Sequence, residues 1–168
     1  MRKITSNLLG AVLLLSSTMT FLGCSTVDDG SYTAPITLTE KIGGKWVVNS
    51  VTQTDETNAR TKTLTNLLDF DTFVINLNQD EAGNATTFSV EGNAPALLPI
   101  SGTWKMDYNF TKSDNTASNL ILNDGKAETS LTVTAVPGNT KTLEYRLTRK
   151  TNGQSFVSYT YNLTQAVK

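Results

Sequence analysis

Trp104, Met106, Tyr108 and Phe110 alternate with Thr103, Lys105, Asp107 and Asn109. A period of two turns one face of an extended strand toward a core and the other toward water. The pattern recurs down the chain. Phe73, Ile75 and Leu77 alternate with Thr72, Val74 and Asn76. Leu131, Val133 and Ala135 alternate with Ser130, Thr132 and Thr134, and Leu143, Tyr145 and Leu147 with Thr142, Glu144, Arg146 and Thr148. Val157, Tyr159, Tyr161 and Leu163 alternate with Ser158, Thr160 and Asn162, while Phe88 and Val90 mark a shorter strand. A helix would scatter each of these apolar sets around its circumference. The chain therefore belongs to the all-β class.

The joints between these runs set the topology. Asp80-Glu81-Ala82-Gly83-Asn84, Asn123-Asp124-Gly125-Lys126, Pro137-Gly138-Asn139-Thr140 and Thr151-Asn152-Gly153-Gln154 each supply the glycine or asparagine of a tight reversal. Joints this short make sequence neighbours antiparallel, which is a meander. With residues 45–53 and 119–122 added, about eight strands are expected, the number that closes a small barrel and removes exposed edges. A two-sheet β-sandwich is the alternative that the same alternation would serve. One short helix is expected, because Leu64, Leu67 and Leu68 have i, i+3, i+4 spacing within residues 63–70.

The N-terminus carries a different signal. Arg2 and Lys3 precede an uncharged stretch, residues 4–22, whose strongly apolar part covers only residues 8–15. A basic start and a short greasy middle describe a secretory signal peptide, whereas a spanning helix needs about 20 predominantly apolar residues. Residues 1–23 are thus expected to be a lipoprotein signal peptide. Residues 24–39, polar and broken by Gly30 and Pro35, read as a tether, and residues 40–168 as the domain. Removing the leader leaves 12 basic and 15 acidic side chains, a net charge of −3, with no footprint for nucleic acid.

Cys24 is the only cysteine, and the chain has no histidine. An intramolecular disulfide is excluded, as are Ser-His-Asp and Cys-His catalytic arrangements and every histidine-bearing metal site. No cofactor is expected, and no enzyme. Leu22-Gly23-Cys24 resembles the lipobox of bacterial lipoproteins, in which the cysteine sulfur is acylated and the residue becomes the new N-terminus. That resemblance implies a membrane anchor at Cys24, since two or more acyl chains hold stably where one does not. It places the protein at a bacterial outer membrane, on the periplasmic or the cell-surface face. Ser25-Thr26-Val27-Asp28-Asp29 resembles the short acidic export signal of Bacteroidetes-type surface lipoproteins; a merely solvated tether is the equal alternative.

Gly44-Lys45-Trp46 at the first strand resembles the Gly-x-Trp start of lipocalins and of the lipocalin-like domains of Bacteroidetes lipoproteins, and Gly102-Thr103-Trp104 repeats it. The resemblance implies a barrel with the tryptophan packed across its bottom. The candidate ligand or core contacts are then Trp46, Trp104, Tyr108, Tyr145, Tyr159 and Tyr161, together with Phe73 and Phe88. A filled core is favoured over an open cavity, because barrels of this size pack with their own side chains. The apolar loop at residues 93–100 is either a lip over the mouth, a partner contact or a flap folded over the core. Asp69 and Asp71 share a strand face yet read as a strand entrance rather than a catalytic pair. Residues 76–81 read as a hairpin turn rather than a calcium loop. The expected role is a lipid-anchored, non-catalytic binding module for a small apolar ligand or a protein partner. A structural or accessory component of an envelope assembly is the alternative.

Overall fold

The structure is a computed structural model that describes residues 30, 33–94, 98–138 and 140–166. The leader, the lipobox and Cys24 lie outside the described residues, as do the acidic pair Asp28 and Asp29. The chain divides into two compact units, and the second, Ile36–Lys168, holds the fold described below.

One short helix, α1 (Leu38–Ile42), leads into nine strands. They are β1 (Gly44–Asp55), β2 (Arg60–Thr63), β3 (Val74–Gln79), β4 (Ala85–Glu91), β5 (Ser101–Met106), β6 (Asn119–Asn123), β7 (Glu128–Ala135), β8 (Thr142–Thr151) and β9 (Gln154–Gln165). From β3 onward each strand pairs antiparallel with the next, β1 pairs with β3, and β9 returns to pair with β1 along residues 46–55. Eight strands thus close an antiparallel barrel, and β2 hangs as a ninth beside the far half of β1. Closure satisfies the backbone of both edges, so the sandwich is not adopted. The turn residues do what their chemistry requires: Asn152 and Gly153 both have positive φ in the two-residue β8–β9 hairpin.

A bulge in β1 decides which residues face inward. Val48 pairs with Leu163 and Ser50 with Asn162, leaving Asn49 as the extra residue. Trp46 and Val48 therefore face the interior before the bulge, and Val51, Gln53 and Asp55 after it. Asn49 uses its freed amide outside the barrel, donating to Asn162 Oδ1 at 3.0 Å.

The interior is packed. Trp46, Phe73, Ile75, Leu77, Leu120, Leu122, Leu131, Leu143, Tyr145, Tyr161 and Leu163 are fully buried. Tyr161 sits between Tyr145, stacked at 5.0 Å, and Phe73, tilted at 5.3 Å. Burying each of these large side chains contributes roughly 1.5–3 kcal/mol, which makes a disulfide unnecessary in a domain of this length. On the outer wall Ser158 is also buried, because Arg146 and Glu56 close over it. The Ser158 hydroxyl, and then the Arg146 guanidinium, hold the Glu56 carboxyl below the usual carboxylate range.

The structure corrects four expectations. β5 stops at Met106 instead of running to Phe110, and Tyr108 is 49% exposed rather than inward. The reason lies in Asp107, whose carboxylate accepts the Asn119 backbone N–H at 2.7 Å and its side-chain amide at 2.9 Å, tying the chain into a loop. Burial opposes ionisation of Asp107, but these bonds and Lys112 outweigh it and its pKa is lowered. Within residues 63–70, Thr63 ends β2 and residues 65–69 form turns that lead into a 3-10 turn at Phe70–Thr72 rather than a helix, since Leu68 and Asp69 both take positive φ. The helix lies earlier, partly inside the segment read as tether, where Thr37 and Glu40 form a capping box. Finally, β2 has no counterpart among the expected strands, because all four of its residues are exposed and carry no apolar pattern.

Candidate functional site

The two ends of the barrel are built differently. At the base, α1 lies across the opening and Ile42 enters the core. The Trp46 indole N–H donates to the Ile42 carbonyl at 2.7 Å, and the Gln79 amide donates to the Thr39 carbonyl at 2.6 Å. A hollow of about 200 Å³ beside α1 is lined by polar residues including Thr37, Glu40 and Lys105. Those groups are already engaged: Glu40 with Thr37, and Lys105 with Glu128. Thr39 is engaged too, its hydroxyl donating to Asn109 Oδ1 at 2.5 Å.

The mouth is otherwise. Gln53 on β1 stands between Lys62 on β2 and Tyr159 on β9, each its direct cross-strand partner. Direct partners in a ladder share a face, so the three side chains form a row across the inner surface. Beside the row runs the segment from Leu64, whose backbone N–H donates to the Val51 carbonyl at 2.8 Å, to the 3-10 turn. Together Gln53, Lys62, Leu64, Leu67, Leu68, Phe70 and Tyr159 enclose an open hollow of about 370 Å³. That is within the range of small-molecule pockets, and the mixture of an apolar wall with a few polar groups is their usual chemistry.

The polar groups of this row have no partner among the described residues: the Lys62 ammonium, the Gln53 amide and the Tyr159 hydroxyl donate to and accept from no protein atom. Tyr159 is nevertheless 8% exposed. The apolar side is equally unusual, with Leu67 42% and Leu68 79% exposed. Leu68 and Asp69 are consecutive residues in left-handed backbone, a conformation that costs a non-glycine residue roughly 1–3 kcal/mol and persists only when surrounding contacts impose it. Here they do. Asn93 donates its side-chain amide to the Leu68 carbonyl at 3.0 Å and its backbone N–H to Thr72 Oγ1 at 3.1 Å. Gly92 lets the loop come this close, since a Cβ there would lie 2.2 Å from the Thr72 carbonyl oxygen.

The expected contacts are distributed unevenly. Trp46, Trp104, Tyr145 and Tyr161 are buried in the core, and the Trp104 indole donates to the Asn78 carbonyl at 2.7 Å. The Tyr145 hydroxyl is fully buried with no hydrogen-bond partner among the described residues, and burial pushes its pKa well up. Of the expected set only Tyr159 reaches the mouth hollow. Gln53, Lys62, Leu64, Leu67, Leu68 and Phe70 were not expected there. The leucine triplet is visible in the sequence as an apolar cluster, but its spacing predicts a helix where the chain forms turns. Asp69 and Asp71 are exposed and do not line the hollow. Asp80 closes the β3–β4 hairpin on Ala82 and Asn84, which holds its carboxyl below the usual range. Of the apolar loop, Ala94 and Leu98 pack against the core and Ile100 is exposed, while residues 95–97 lie outside the described residues. Among the described residues no three histidine, cysteine, aspartate or glutamate side chains gather to hold a metal.

Fold and hollow together define a closed eight-stranded antiparallel barrel with a packed interior and an amphipathic recess at its mouth. A family profile described as a domain of unknown function (DUF5004) matches residues 20–164, and the chain belongs to that family. No curated protein and no solved structure matched the chain.

Proposed function

We propose that this chain is a non-catalytic binding module of a bacterial cell envelope, anchored to the outer membrane by lipid on Cys24, with a lipocalin-like barrel that presents its ligand site at the mouth. The observation that carries the reading is the mouth hollow, where apolar side chains and unpartnered polar groups meet. With the barrel axis filled by Trp46, Phe73, Tyr145 and Tyr161, a small apolar ligand would be seated over the core instead of within it. The lipobox-like Leu22-Gly23-Cys24, the acidic residues behind it and the Gly-x-Trp start support a Bacteroidetes-type lipoprotein.

Two measurements test this. Cys24→Ser should abolish lipid labelling and release the protein from the membrane fraction; unchanged labelling and fractionation would remove the anchor. Native mass spectrometry of gently released protein should show a co-purifying small molecule. Recovery of a stoichiometric protein neighbour would favour instead an accessory role in an envelope assembly, for which the 76% exposure of Ile100 is the supporting observation.

A further inference from the structure

We infer that the mouth hollow selects single-chain amphiphiles with an anionic head, of the fatty-carboxylate class, the head held by Lys62 and the chain laid along Leu64, Leu67, Leu68 and Phe70. The inference rests on the binding reading above and adds the ligand's chemistry.

The charge pattern of the inner face at this end carries it. One cross-strand row is Lys62–Gln53–Tyr159–Leu147, and the next toward the rim is Arg60–Asp55–Val157–Arg149. The two rows hold Arg60, Lys62 and Arg149 against the single carboxylate of Asp55. That carboxylate is already occupied: it accepts from the Thr57 hydroxyl and backbone N–H and from the Asn58 amide, and it faces Arg60. Arg149 lies over the Phe156 ring at 5.5 Å. Lys62 alone lines the hollow as a cation with no carboxylate within ion-pair distance among the described residues. A carboxylate placed there gains a charge-assisted contact, and the Gln53 amide and Tyr159 hydroxyl stand beside it in the same row as further donors. A cationic head would meet Lys62 and be repelled. An uncharged head would leave the lysine unused.

The exposed leucines fit the other end of such a molecule. Leu67 and Leu68 hold apolar surface in water at the open side of a hollow whose volume, about 370 Å³, suits one short chain rather than a diacyl lipid. The brace from Asn93 holds that surface in place through the protein's own hydrogen bonds, so little ordering is left for the ligand to impose.

The test titrates the full chain with octanoate, octanol and octylamine below their aggregation limits, following amide shifts by NMR. Octanoate should bind roughly fivefold tighter than octanol, near the upper limit for a pair that remains partly in water, and octylamine more weakly than either. Added salt should narrow the gap between octanoate and octanol. Lys62→Gln should abolish the octanoate preference, so that octanoate and octanol bind alike; because Lys62 is exposed on β2, the variant should fold as the parent does. Equal binding of octanoate and octanol by the parent would overturn the head-group inference and leave the binding reading standing. Binding of none of the three would overturn both. Attachment to vesicles containing anionic diacyl lipid, without binding of octanoate, would overturn the inference in favour of a membrane-surface contact.

Discussion

The two ends of this barrel answer the same physical problem, an opening in a cylinder of apolar side chains, in opposite ways. At the base the problem is closed. α1 covers the opening, its first turn is capped by Thr37 and Glu40, and the Trp46 indole and Gln79 amide both donate to backbone carbonyls of the helix, those of Ile42 and Thr39. At the mouth it is left open. Leu68 stands in water on left-handed backbone, and the polar groups of the row Lys62–Gln53–Tyr159 have no partner among the described residues. An end whose groups are satisfied contributes stability, whereas an end whose groups are not has bonding capacity left for something else. The difference marks the candidate site more firmly than any single residue does.

The comparison can be broken most decisively at the base. Trp46→Ala should lower stability by about 3–5 kcal/mol in urea unfolding, since it empties a fully buried site and strands the Ile42 carbonyl. A loss below about 1 kcal/mol would mean the base is not a packed seal. Tyr145→Phe probes the core between the ends. Removing a buried hydroxyl with no partner should stabilise by about 1 kcal/mol, and a loss instead would show that the hydroxyl is satisfied by a buried water. The smallest effect belongs to the mouth. Leu68→Asn should change stability by no more than about 0.5 kcal/mol, in the stabilising direction because asparagine tolerates left-handed backbone, while weakening octanoate and octanol alike. Stability lost at Leu68 on the scale of Trp46 would erase the distinction between the ends.

Much of the barrel could be read from particular residues. Tyr145 and Tyr161 announced their buried faces through strict alternation, and Asn152-Gly153 announced a hairpin through the backbone angles that only such residues take easily. The candidate site was far less legible. Tyr159 was expected inside and is buried there, but that it also borders the mouth hollow depends on its register with Gln53. Lys62 sits in Arg60-Thr61-Lys62-Thr63, a strand with no apolar member, so periodicity had nothing to register there. Tyr108 misled for the opposite reason: its alternation is real, but Asp107 captures Asn119 and takes the chain out of the sheet.

What the amino-acid order determined by itself is local: strand faces, turn positions, the absence of histidine and of a second cysteine, and with them the all-β class. Those properties depend on residues within a few positions of one another. Tertiary structure alone decided that β9 closes on β1, that the bulge at Asn49 brings Gln53 to the inner face, and that Lys62, Gln53 and Tyr159 share one row. A row across three strands joins residues about a hundred positions apart, and its membership is set by register. Register is a property of paired backbones, and no single stretch of sequence contains it.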